Sequence, residues 1–130
     1  MTTRLPFISV VVFLAAATCA SAQTPRTGKL MREKLLHSQR ILAALTTSDY
    51  TMLQRETLAL TKVTQNPVWD ELMTTPFQPY ARDFAKALAG LAAASDRRDY
   101  DAAGASFTAL TTACLGCHKH VMSSRIARAP

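Results

Sequence analysis

The chain has 130 residues, 15 Lys plus Arg against 9 Asp plus Glu, a formal net charge of +6, 48% hydrophobic residues and three cysteines. That length suits one domain after any leader is removed. The positive surplus is scattered, from Arg26, Lys29, Arg32 and Lys34 near the front to Arg125 and Arg128 at the back. No basic stripe interleaved with aromatics is present, so nucleic-acid binding is not expected, whereas a modest positive balance suits docking to acidic proteins.

Residues 1–22 carry the layout of a cleaved signal peptide: a short positive start to Arg4, an apolar run from Leu5 to Ala17, and the small-x-small signal Ala20-Ser21-Ala22. The apolar run is too short for a permanent anchor, which needs about 20 residues. Lipidation at Cys19 is the weaker reading, because Ala16-Ala17-Thr18 is a poor approach to such a cysteine. Cleavage after Ala22 leaves residues 23–130 as a single domain, with 14 Lys plus Arg against 9 Asp plus Glu and two cysteines. Export to the periplasm and no stable membrane anchor are the expectations.

Four helical stretches follow, with no convincing strand. A helix over 27–46 places Met31, Leu35, Ser38, Leu42 and Leu45 within about 40° of one direction, which predicts its inward face. A second, over 49–65, has Tyr50, Leu53, Leu60 and Val63 on its apolar side with Thr57 and Thr64 between them, and Asn66-Pro67 stops it. The segment 68–73 reads as a linker with apolar anchors, Trp69 serving as core or lid. The third helix, over 78–95, starts with Pro79 in a first-turn position. Phe77, Tyr80, Phe84, Leu88 and Leu91 share its inner face, and many alanines permit close helix–helix approach. Asp96 or Asp99 is placed to cap the last helix. That helix, over 100–123, carries Ala103, Phe107, Leu110, Cys114, His118 and Val121 along one line. Four amphipathic helices with short connections predict an all-α, antiparallel four-helix bundle.

The informative motif is Cys114-Leu115-Gly116-Cys117-His118. CxxCH is the attachment signature of c-type haem. Residues three and four apart on a helix face the same way, so both thiols and the imidazole converge on one side. The thiols then reach two haem vinyl groups and His118 reaches the iron as proximal ligand. Gly116 is expected to let the porphyrin approach the backbone. Three other uses of the motif fit less well. A thioredoxin-like dithiol belongs at a strand–helix junction. A structural zinc site needs four ligands, and His120 points about 120° away from Cys114. A Cys114–Cys117 disulfide would close a tiny loop.

The whole mature chain resembles the class II c-type cytochromes, the cytochrome c-prime family and its low-spin relatives, which carry CxxCH near the C-terminus of a four-helix bundle. The resemblance implies one covalent haem c on Cys114 and Cys117, proximal ligation by His118, and a distal side lined by the first helix. Lys29-Leu30-Met31 matches the segment that holds a methionine ligand in the low-spin branch. Many members follow the haem histidine with an aromatic–arginine pair three and four residues on; here Val121 and Met122 stand there, with Arg125 nearby as a substitute.

Met31 is the expected distal ligand, central on the inward face of the first helix. His37 is the better ligand in isolation but lies about 120° around the helix from Met31. Met52, Met73 and Met122 are read as packing residues. The expected function is a periplasmic electron carrier, not an enzyme, that serves redox partner proteins and, like its relatives, can form a homodimer. The alternatives are a five-coordinate haem protein that binds NO or CO, and a haem-free metal or dithiol module.

Overall fold

The computed structural model describes residues 25–70 and 76–126, with side chains to Ser124. The expected leader 1–22 with Cys19, the packing residue Met73 and the side chain of Arg125 lie outside the described residues. Four helices run in order: α1 (Pro25–Thr46), α2 (Tyr50–Thr64), α3 (Gln78–Asp96) and α4 (Tyr100–Ile126), with a 3-10 turn at Pro67–Trp69 after α2. They form an antiparallel four-helix bundle built from two hairpins. α1 packs chiefly on α2, and α3 on α4; the hairpins meet through α2 and α3 and more thinly through α1 and α4.

The two hairpins turn by the same device. After α1, Asp49 N–H donates to Ala44 O at 2.9 Å and Ser48 N–H to Leu45 O at 3.2 Å; after α3, Asp99 N–H donates to Ala94 O at 2.9 Å and Arg98 N–H to Ser95 O at 3.1 Å. This is the paired closure of a Schellman cap, which needs a left-handed residue. Ser48 at φ 54° and Arg98 at φ 53° supply it without glycine, at a cost of about 1–2 kcal/mol each. The same aspartate then caps the next helix: Asp49 Oδ1 accepts from Met52 N–H at 2.8 Å, and Asp99 Oδ1 from Ala102 N–H at 3.0 Å. At this end Gln54 Nε2 donates to Asp96 Oδ1 at 2.9 Å and Ser95 Oγ to Tyr50 O at 3.3 Å, which ties α2 to α3.

The core gathers Ile41, Ala44 and Leu45 from α1, Leu53 and Leu60 from α2, Phe84, Leu88, Leu91 and Ala94 from α3, and Ala103, Leu110 and Ala113 from α4. Small residues set the α3–α4 distance: a Cβ on Gly90 would fall 2.6 Å from Ser106 Oγ.

One expected face is corrected. In α1 the packed residues are Leu30, Ile41, Ala44 and Leu45, while Leu35 and Leu42 are exposed at 58% and 48%. The apolar stripe of α1 is shared between two sides, one packed against the bundle and one turned to a cavity that Met31, Leu35 and Ser38 line. Met122, read as packing, is exposed at 63%. Glu56, a charged residue on α2, is buried, with 2% of its surface exposed.

Candidate haem-attachment site

α4 places Cys114, Cys117 and His118 on one wall of an open cavity of about 1330 Å³. Helical spacing aligns them, and Leu110 one turn earlier anchors that face in the core. The start of α1 lines the cavity with Thr27, Met31 and Lys34; α2 contributes Thr57 and Thr61, and α3 contributes Tyr80, Phe84 and Leu88. Trp69 closes one side, buried at 6%, with Nε1–H donating to Val63 O at 2.7 Å. The cavity continues as a groove between α2 and α3 to Gln54 and Asp96.

The expected residues are thus brought together: both thiols, His118 and Met31 line the same space. Both cysteines are half-buried free thiols. His118 is exposed on the rim, Met31 half-buried. His37 is not among the lining residues. Its Nδ1–H donates to Glu56 Oε2 at 2.8 Å, and Arg55 Nε to Glu56 Oε1 at 3.0 Å. Burial pushes the Glu56 carboxyl up, but the His37 and Arg55 hydrogen bonds and the Arg40 charge outweigh it, so its pKa lies below the usual 4.5. This contact joins α1 to α2 and takes His37 away from the cavity.

His120 turns away from the thiols as its spacing predicts, edge-on to Phe77 with ring centroids 5.1 Å apart. Gly116 is a correction. A Cβ there would lie 2.9 Å from Tyr80 Cε1, and Gly116 does not line the cavity. The glycine admits the α3 tyrosine ring, not a porphyrin. Lys34 was not singled out by sequence, although it lies one turn from Met31 on the same side of α1. Its Nζ sits 4.1 Å from the centroid of Phe84 and 4.8 Å from that of Trp69. Burial lowers its pKa, partly offset by the thiols of Cys114 and Cys117. Burial raises both thiol pKa values, with the Lys34 charge opposing.

Three features fit a haem c. The cavity exceeds the usual ligand pocket of roughly 300–1,000 Å³ and its wall is largely apolar, from Met31, Leu35, Trp69, Phe84 and Leu110. Two thiols and an imidazole share one helical face, the donor set that attachment and proximal ligation need. Thr57 lines the cavity, and its Oγ1 is buried without a hydrogen-bond partner, an orphaned hydroxyl beside the site of the kind that a polar group commonly satisfies. Among the described residues no cluster of three or more His, Cys, Asp or Glu could hold a metal ion by itself, and no helix is long and apolar enough to cross a membrane.

A family model described as Cytochrome C' matches residues 26–120, from the start of α1 to His120. Comparison with curated proteins and with solved structures gave no match. The match runs through all four helices and includes the attachment motif, so the chain belongs to the cytochrome c' family of class II c-type cytochromes and is a haem-binding protein of that family.

Proposed function

We propose that this protein is a periplasmic one-haem electron carrier, not an enzyme, in which Cys114 and Cys117 hold the haem, His118 is the proximal ligand and Met31 the distal one. The single observation that carries the reading is the position of Met31. It lines the cavity from α1 while the attachment set lines it from α4. When bound, the haem supplies one-electron iron chemistry. The chain's own residues attach it, present one nitrogen and one thioether sulfur, and limit water: Trp69 and Phe84 are buried beside it. His118 and Leu115 lie at the exposed rim, where a redox partner protein meets the site. The signal-like residues 1–22 support export, and residues 23–130 then form the working domain.

Reduced absorption spectra with and without carbon monoxide test the reading. Wild type is expected to be six-coordinate and low-spin, and Met31→Leu five-coordinate and high-spin, with a lower potential and faster carbon monoxide binding. Leucine nearly keeps the volume, so the packing cost stays under about 1.5 kcal/mol. A wild type that is already high-spin, or a Met31→Leu spectrum identical to wild type, removes Met31 from the iron. The first of these outcomes favours gas binding instead.

A further inference from the structure

The wall that carries Met31 also carries a charge that attachment and ligation leave unused. Lys34 reaches into the cavity and rests its ammonium on the faces of Phe84 and Trp69. Ring faces attract a cation but do not neutralise it. Among the described residues no carboxylate lies within ion-pair distance of Lys34, whereas Lys29 on the same helix pairs with Glu33 at 3.9 Å. The acidic groups nearest in effect are the Cys114 and Cys117 thiols, but burial raises their pKa values, so near neutral pH they are uncharged and do not neutralise Lys34. Attachment removes them. Each S–H adds across a vinyl double bond, sulfur bonding to one carbon and the hydrogen passing to the other, with no net oxidation, and the product is an uncharged thioether. A cation held in an apolar cavity then needs an anion. A haem brings two carboxylates.

We propose that Lys34 is the internal counter-charge of the bound haem, pairing with a haem carboxylate inside the cavity and favouring the reduced iron. The inference rests on the haem-binding assignment. A positive charge fixed in a low-dielectric site stabilises the state that holds the extra electron, and burial protects the effect from salt. Lys29 is the built-in control, the same charge on the same helix with its side chain 73% exposed.

The first experiment reads the pairing in the wild-type holoprotein. Reductive methylation with labelled formaldehyde keeps lysine charged and adds reporter methyl groups. The Lys34 signal is assigned as the one missing from Lys34→Arg. In the diamagnetic ferrous carbon monoxide complex, that signal is expected to show nuclear Overhauser contacts to haem propionate methylene protons. Contacts to other parts of the haem only, or to none, overturn the pairing. The second experiment measures midpoint potentials at low and high salt. Lys34→Met is expected to lower the potential at both, Lys34→Arg to stay near wild type, and Lys29→Met to shift little and not at all in high salt. A Lys34→Met shift no larger than that of Lys29→Met overturns the redox role. Failure of the underlying assignment looks different: a wild-type chain with no covalently bound haem.

Discussion

The two ends of the bundle solve different problems with the same helices. At the end of the paired turns, Ile41, Ala44, Leu53, Leu91, Ala94 and Ala103 are excluded from solvent and meet one another directly. At the other end, the starts of α1 and α3 and the later half of α4 stand apart around a cavity, and Met31, Cys114 and Cys117 stay half-exposed. The closed end has a core that side chains complete among themselves, and only the groove between α2 and α3 reaches it, at Gln54 and Asp96. The open end is shaped by residues that suit a large cofactor better than they suit each other. Stability at one end depends on packing within the chain, at the other on what is attached to it.

Removing attachment should break this contrast most severely. The double substitution Cys114→Ala and Cys117→Ala is expected to abolish covalent haem and deplete folded protein, because a bound cofactor stabilises the native state. Intact mass checks it: wild type is expected as a chain starting at Gln23 plus one haem, and the variant without the haem increment. Next in size is Leu91→Ala at the closed end, which should cost about 2–5 kcal/mol through lost burial and a residual cavity. Its spectrum should match wild type while its thermal midpoint falls.

His37→Ala probes the seam between α1 and α2. It removes a hydrogen bond to a buried carboxylate, a loss of about 1.5–3 kcal/mol. The pH dependence follows from the sign of the Glu56 shift. A carboxyl held below 4.5 in the folded chain contributes stability that is fully present above that value and is lost as pH falls through the folded pKa. Without His37 that folded pKa rises, so acid unfolding should begin at higher pH, with the haem spin state unchanged. The smallest effects belong to the caps. Asp49→Ala and Asp99→Ala should each cost about 1 kcal/mol, read as parallel shifts in denaturant midpoint with no change in the potential.

Much of this plan is legible in the sequence because it is local. Pro79 lies in the first turn of α3 and Asp99 precedes α4, the stop at Asn66-Pro67 holds, and the shared face of Cys114 and His118 follows from helical period alone. What the sequence does not reveal depends on distant partners. The stripe of α1 reads as a single inward face, yet Met31, Leu35 and Ser38 line the cavity, Leu45 joins the core and Leu42 is exposed, a division that periodicity averages away. Gly116 reads as room for the porphyrin, but Tyr80, 36 positions earlier, fills that space. The burial of Glu56 depends on His37 from the preceding helix. Charge alone marks such a residue as surface.

The matched turns divide the protein into halves, and the site draws on them unequally. Everything needed for covalent attachment lies within five residues of α4, in the second hairpin, whereas Met31 and Lys34 belong to the first. The attachment motif is therefore complete within one hairpin. Each hairpin closes a short loop, and such local helical contacts form quickly, whereas α1 and α4, distant in sequence, share the thinnest helix–helix seam. On the proposed ligation the cofactor is a hasp, fixed to one leaf of the molecule through α4 and engaged by the other through Met31 of α1.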